Sequence, residues 1–468
     1  MSPDLILQER HVTELRSLLA RENGIEAAAY VLFGTSEIKQ DPWSKRRRRR
    51  YTSFEVLPVP LEDHVSADAQ HVTWSTSSFV RLLKRSKDEQ LVVGIVHTHP
   101  TGPASFSEQD DRNECELAQM ARNRNGASAE MISLLLIGSD TILARLWLDQ
   151  HKPIPMERLR VIGRKYRVHE HLPTMPGVEH LNRQALAFGD QLNSSLRALR
   201  IGIVGCGGTG SATAMLLARL GVGNLVLFDE DTAELTNLNR LHGAKRSDVD
   251  AMRSKVEVVA REITEAGLGV KVVPMKGWVG DPTFRDALKS CDLIFGCTDD
   301  HSGRLFLNRF AHFYLVPVID IGLAITPAGH GGGVQDLSGR ATVVFPGAPC
   351  LLCRGIVDPA MAREEELKRS NPEEYERQKR EAYVRGAGNP APAVVTFTTA
   401  TACMAIDELL QALVGFRGPD GWSWNRVRRF DLLKDRMPGA LPGDHCPICQ
   451  SQDYWGRGDI DPFMDRVG

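Results

Sequence analysis

The stretch Arg200-Ile-Gly-Ile-Val-Gly-Cys-Gly-Gly-Thr-Gly210 decides how the larger part of this chain is read. An apolar run ends in a cluster of glycines. A helix-like segment over 211–220 follows, then a strand-like one over 224–228 that ends in Asp229. Gly205, Gly207, Gly208 and Gly210 would let backbone N–H groups approach a phosphate at a helix N-terminus, and an acid about 20 residues on would hold ribose hydroxyls. The fingerprint alone does not separate a dinucleotide cofactor from ATP. The residues beyond it do, because Asn237, Arg240 and Lys255 supply polar and cationic groups that a triphosphate needs and hydride transfer does not. Further on, Cys291-Asp-Leu-Ile-Phe-Gly-Cys-Thr-Asp299-Asp300 reads as a buried strand delivering an acid at its C-terminal end, where open α/β sheets place ligands.

A second constellation lies upstream. His97-Thr-His99, seven residues, Ser107, two residues and Asp110 give the spacing H-x-H-x7-S-x2-D, with Pro100 directly after the second histidine. The run 91–97 reads as a buried strand, on which side chains two apart share a face, so both imidazoles can reach one metal. Ser107 is placed to cap a helix that carries Asp110 in its first turn. Two histidines and an aspartate leave the fourth position of a zinc ion open for a water whose pKa falls toward ~7. Glu26 opens an otherwise apolar segment, a costly place for a charge, and is the candidate proton acceptor, with Glu22 as the neighbouring alternative.

At 468 residues the chain should hold two or three domains. Its 57 basic and 59 acidic residues leave a net charge of −2, which argues for neither nucleic acid nor membrane as partner. No apolar stretch approaches the ~20 residues of a bilayer span, and the N-terminus is no signal peptide. Nine cysteines include Cys350-Leu-Leu-Cys353 and Cys446-Pro-Ile-Cys449, a paired C-x-x-C arrangement that points to a cytoplasmic protein with a structural four-thiolate zinc site. A redox C-x-x-C is the rival. The run Lys45-Arg-Arg-Arg-Arg-Arg50 is read as a solvated loop, and Cys403 as packing within an apolar helix over 398–413.

The zinc constellation with its upstream acid resembles the JAMM (JAB/MPN) metalloproteases, which cleave peptide or isopeptide bonds after ubiquitin-like tails. The resemblance implies Glu26 as general base, His97, His99 and Asp110 as ligands of a catalytic zinc, and Ser107 as donor to the tetrahedral oxyanion. The later order, G-x-G-G-x-G, then D-x-D-x5-N-x2-R from Asp229 and Asp231 to Arg240, then Lys255 and C-T-D, resembles the Rossmann-like adenylating domain of the ThiF/MoeB/HesA family. These proteins are relatives of ubiquitin-activating E1 enzymes. That implies ATP with Asp229 on the ribose, Asn237, Arg240 and Lys255 on the phosphates and Asp299 on Mg²⁺. Arg183, in Leu181-Asn-Arg183-Gln184, would reach the ATP of a partner subunit, which implies a homodimer.

The expected architecture is therefore α/β throughout: a JAMM domain over 1–165, a linker over 166–180 and an E1-like adenylation domain over 181–468. Joined, they imply a bifunctional enzyme of a prokaryotic ubiquitin-like pathway that adenylates a C-terminal glycine of a Gly-Gly tail and cleaves after such tails. Residues 354–390, where the crossover loop over the substrate tail is expected, hold no cysteine. This favours an adenylate passed on without a stable enzyme thioester, to a sulfurtransferase route or to an E2-like conjugating partner, the bacterial antiviral type included. A ubiquitin-like-protein-binding scaffold without turnover and a nicotinamide oxidoreductase are the other classes.

Overall fold

The computed structural model describes residues 2–20, 26–67, 72–99, 104–138, 140–149, 152–169, 178–328, 333–380 and 392–459. Glu22, Pro100, the part of the expected linker over 170–177 and residues 381–390 of the expected crossover segment lie outside these.

The apolar run before the histidines lies in the strand Val92–Thr98, antiparallel to Ala28–Ile38 and parallel to Met131–Ile137. These are inner strands of a nine-stranded mixed sheet, ordered 166–168, 158–162, 2–8, 48–58, 28–38, 92–98, 131–137, 141–147 and 154–155. Along Ala28–Ile38 the side chains divide by parity, as a pleated strand requires. Ala29, Val31 and Phe33 pack with Val12, Leu15 and Leu19 of the helix Glu9–Leu19. Ala28, Tyr30 and Leu32 pack with the helices Ser77–Asp88 and Glu108–Asn125 on the opposite face. Because Tyr166–Val168 belongs to this sheet, the first α/β layer runs past residue 165, the expected end of the first domain.

The second sheet has eight strands, ordered 271–276, 224–229, 200–204, 293–296, 318–327, 334–344, 425–429 and 434–436. The first five are parallel and the last three antiparallel. Strand Arg200–Val204 has its sequence successor, Asn224–Asp229, on one side and Leu293–Gly296 on the other, so the strand order reverses at its C-terminal end. Open α/β sheets bind ligands in that crevice. The helices Gly208–Leu220, Lys255–Glu265 and Val395–Val414 cover one face, and His301–Phe313 the other.

Helix Val395–Val414 is, by length and a mean hydropathy of 1.2, long and apolar enough to cross a membrane, against the expectation that no stretch of this chain would be. Here its Ala405, Ile406 and Leu409 lie in the core on the second sheet.

Two features join the sheets. The first corrects the reading of the arginine run. Lys45, Arg46 and Arg47 are exposed, but Arg48 and Arg50 open the strand Arg48–Pro58 and are each 2 % exposed. Arg48 pairs with Asp4 and, at 2.8 Å, with Asp41. Arg50 lies 3.6 Å from Asp4 and 3.8 Å from Asp292, and donates to the Cys291 carbonyl at 3.0 Å. Arg158 and Arg160 reach Asp292 at 2.7 and 3.5 Å, and Arg200 reaches Asp41 at 3.5 Å. Burial alone would raise the Asp292 and Asp4 pKa values, yet the surrounding guanidiniums hold both below the usual carboxylate range. Burial and the neighbouring arginines bring Arg200 down to about 10.

The second is a C-terminal segment threaded between the layers. The Gly456 and Gly458 N–H groups donate to the carbonyls of His312 and Phe313, and the Asp459 N–H to that of Thr35. Thr52 donates its hydroxyl to the Gly456 carbonyl at 2.6 Å. The Asp459 carboxylate accepts from the Glu37 N–H at 2.7 Å, from Lys289 at 3.0 Å and from Tyr314 at 3.0 Å. A Cβ on Gly34 would stand 2.0 Å from the Gly456 carbonyl oxygen, so only glycine admits this approach.

Candidate functional site

The strand Val92–Thr98 delivers His97, and His99 follows with its N–H on the Leu136 carbonyl at 3.3 Å. Ser107 then caps the helix Glu108–Asn125 in a capping box. The Asp110 N–H donates to Ser107 Oγ, while the Ser107 N–H and Oγ–H donate to Asp110 Oδ2 at 2.7 and 2.8 Å. The cap thereby orients the carboxylate, with Oδ1 3.1 Å from His97 Nε2 and Oδ2 3.4 Å from His99 Nε2. Glu26 precedes the strand Ala28–Ile38, and its neighbour Ala27 exchanges hydrogen bonds with Thr98, donating to Oγ1 and accepting from N–H. This tie places the buried Glu26 carboxylate 3.7 Å from His99 Nε2. Burial would raise the Asp110 pKa, but the His97 and Ser107 contacts bring it below the usual carboxylate range.

One ligand atom from each of His97, His99 and Asp110 falls within 4.8 Å of the others. Tetrahedral ligands on bonds of about 2.0–2.1 Å stand about 3.3 Å apart, so the donor set fits a zinc ion. The Ser107 hydroxyl, expected to donate to an oxyanion, is here donated to Asp110.

The second site is a cleft of about 300 Å³ at the strand-order reversal. Gly205 adopts φ +87°, where a Cβ would also meet the Cys297 backbone at 2.8 Å, and Gly207 precedes the helix Gly208–Leu220, whose N-terminal turn faces the cleft. Gly210 is buried and does not line the cleft; a Cβ there would run into the Gly205 carbonyl. Asp229 accepts from the Cys206 N–H at 2.6 Å and the Asp231 N–H at 2.9 Å, and burial keeps its pKa above the usual value. Lys255 pairs with Asp231 at 2.7 Å, and the acids Asp229, Asp231 and Asp299 outweigh its burial and raise its pKa. Arg240 and Asp299 also line the cleft. Asp300 lines it as well, and its carboxylate caps the helix His301–Phe313.

Two expected ligands stand elsewhere. Asn237 does not line the cleft; it is buried and accepts the Glu234 N–H on its Oδ1 as part of a capping box. Arg183 is exposed on the short helix Asn182–Phe188, outside this chain's cleft. Trp278 and Arg304 are among the lining residues that the sequence reading missed. Each had a signal: Trp278 follows the strand that pairs with Asp229 at its C-terminal end, and Arg304 stands one helical turn after Asp300.

Cys350 and Cys446 have sulfurs 3.7 Å apart, and Cys353 and Cys449 3.4 Å apart. Four thiolates on bonds of about 2.3 Å stand about 3.8 Å apart, so this group too fits zinc. Cys403 is exposed on the outer face of Val395–Val414, not packed as expected. Its thiol pKa is raised by partial burial, and those of Cys206, Cys291 and Cys297 by burial, Cys297 to about 12.

Comparison with known proteins finds a separate family match for each part of the chain. The model of the ThiF family matches residues 181–449, and that of prokaryotic homologs of the JAB domain matches residues 8–150. The molybdopterin-synthase adenylyltransferase of Escherichia coli is 33% identical over 178 residues, 37% of this chain and 66% of that protein. The SAMP-activating enzyme E1 of Haloferax volcanii is 27% identical over 165 residues, 35% of this chain and 56% of that protein. Ubiquitin-like modifier-activating enzyme 5 of Bombyx mori is 28% identical over 178 residues, covering 36% of this chain and 45% of the relative. The chain thus spans under two-thirds of the length of these relatives. A crystal structure of E. coli MccB with MccA-N7isoASN aligns over 59% of this chain and 77% of that one, at 18% identity and a TM-score of 0.44. With the first family match covering more than half of its residues, the chain belongs to the ThiF family, and a JAB domain is fused ahead of its ThiF domain.

Proposed function

We propose that the chain activates the C-terminal glycine of a ubiquitin-like protein by ATP-dependent adenylation, and that its JAB domain is a zinc peptidase for bonds after such a tail. The observation that carries the first half is the convergence of the glycine turn, Asp229, Arg240, Lys255 and Asp299 on one cleft. The substrate carboxylate attacks the α-phosphate, the bond to the β,γ-diphosphate breaks and pyrophosphate leaves. Arg240, Lys255 and the helix N-terminus offset the charge that gathers on the phosphates. Asp299 is placed to hold Mg²⁺, and Asp229 to hold the ribose.

His97, His99 and Asp110 would hold a zinc ion, which when bound supplies a Lewis acid and an acidified water. Glu26 takes the proton of the attacking water and returns it to the leaving amine. The four cysteines form the structural zinc site that ties 350–353 to 446–449. Two domains, one reaching at least to Val168 and the other over 181–468, act on the same kind of tail, in a homodimer whose Arg183 serves the neighbouring ATP. The raised pKa values of Cys206, Cys291, Cys297 and Cys403 support transfer of the adenylate without a stable enzyme thioester on any of these four.

The test is intact mass of the chain and a ubiquitin-like protein ending in Gly-Gly, with ATP and Mg²⁺, with and without reductant. A partner that gains AMP is expected, and a reductant-sensitive enzyme adduct would overturn the direct-transfer reading. Glu26→Gln should abolish cleavage and spare adenylation, Asp299→Ala the reverse; loss of both activities in either folded variant would refute separate sites.

A further inference from the structure

The first site contains a grip that neither family match assigns. Arg145 stands on the strand Thr141–Trp147, 7 % exposed. Its guanidinium carbon lies 3.8 Å from the centre of the Phe106 ring. From the same group, Nη1 is 2.5 Å from Asp111 Oδ1 and Nε is 2.7 Å from Glu114 Oε2. Glu114, 1 % exposed, is held in turn by the Trp147 indole N–H at 2.9 Å. The Phe106 ring leans edge-on toward His97, with centroids 6.1 Å apart and planes at 60°.

Phe106 immediately precedes Ser107, and Asp111 immediately follows Asp110. One guanidinium therefore holds both ends of the six-residue segment that contains the cap Ser107 and the ligand Asp110, and braces the ring that abuts the ligand His97. A flat face for an arene and a planar fork for two carboxylates are what a guanidinium offers and an ammonium does not. We infer that Arg145 is a positioning residue for the metal centre: through Phe106, Asp111 and Glu114 it sets the angle at which Asp110 and His97 meet a divalent cation. The inference rests on the proposed zinc reading of this site.

Outer partners of metal ligands change metal affinity by about 10–100-fold. In the full chain, Zn²⁺ affinity is measured by competition with a chromophoric chelator. The first site is followed separately by Co²⁺ d–d absorption, which at a nitrogen and oxygen site lacks the thiolate charge-transfer bands of the four-cysteine group. Arg145→Lys keeps the charge and the pairing to Glu114 but loses the flat face. It should weaken first-site binding about 10–100-fold and shift the Co²⁺ bands, with ATP–pyrophosphate exchange at the second site unchanged. Phe106→Leu leaves the buried Arg145–Glu114 pair in place and should move affinity in the same direction, so it decides the question if Arg145→Lys fails to fold. Binding within about twofold of the parent in the folded variants, with His97→Ala losing the metal, would overturn the positioning role alone. Equal metal content in the parent and His97→Ala would instead overturn the zinc reading on which it stands.

Discussion

Replacing Asp292 by asparagine should loosen the join between the two sheets far more than it disturbs either one. Asp292 is 5 % exposed and accepts from Arg158 at 2.7 Å and from the Arg200 N–H at 2.9 Å, with Arg160 and Arg50 at 3.5 and 3.8 Å. The cluster holds three carboxylates, Asp4, Asp41 and Asp292, against five guanidiniums, Arg48, Arg50, Arg158, Arg160 and Arg200. Without the Asp292 charge, five cations, four of them buried, would face two anions. Removing one partner of a buried ion pair costs about 3–5 kcal/mol. Asparagine keeps an acceptor for the Arg200 amide, so the low end, about 3 kcal/mol, is expected.

At a urea slope of about 3 kcal/mol/M, that lowers the unfolding midpoint by about 1 M. Hydrogen exchange read at Leu5–Gln8, Arg48–Thr52 and Ile201–Val204 would place the weakened amides at the join. Adding Arg158→Met should recover part of the loss, because an apolar replacement of a buried pair is often close to neutral. The pH dependence has a definite sign. The folded Asp292 pKa is depressed, so its stabilisation is present above the unfolded value of about 3.9 and is lost as pH falls through the folded one. Asp292→Asn should therefore shed about one proton's worth of acid sensitivity below about pH 4. A midpoint within about 0.3 M of the parent, or a double variant whose loss equals the sum of the two singles, would refute the argument.

Two further outcomes concern the threaded C-terminal segment. Gly34→Ala sets a methyl against a backbone carbonyl that no side-chain motion can clear, and should cost about 1–3 kcal/mol with lost amide protection at Glu37 and Asp459; unchanged protection at those two amides would contradict the packing. Cys446→Ser, or a strong chelator, should release the same two amides while leaving those of Met131–Ile137 protected, since Cys449 lies only five residues before Tyr454; a uniform response across the first sheet would show that the tie does not act locally.

Much of this was legible in the sequence where local pattern and chemistry coincide. The glycine turn announces itself because positive φ and close backbone approach demand glycine, and the histidine pair because strand periodicity puts both imidazoles on one side. What failed depended on residues far apart in the chain. Arg48 and Arg50 look like part of a solvated run because arginine is seldom fully buried unless paired, and their partners come from positions 4, 41 and 292. Cys403 sits in an apolar helix, yet Ala402 and Met404 on either side of it are the residues that turn inward. Asn237 is spent on a local cap, a use that asparagine side chains favour and that spacing alone cannot separate from ligand binding.

The threading of residues 456–459 against Thr35, Glu37 and Thr52 also orders events in time. Between Thr35 and Gly458, joined by an isolated bridge, lie more than 400 residues. At roughly 5–20 residues per second a ribosome needs about 20–85 s to cover that distance. For all of that time the strand Ala28–Ile38 exists without the segment that closes over its far end. Synthesis of the chain thus imposes a wait, in which the surface that will receive Gly456 and Asp459 stands uncovered.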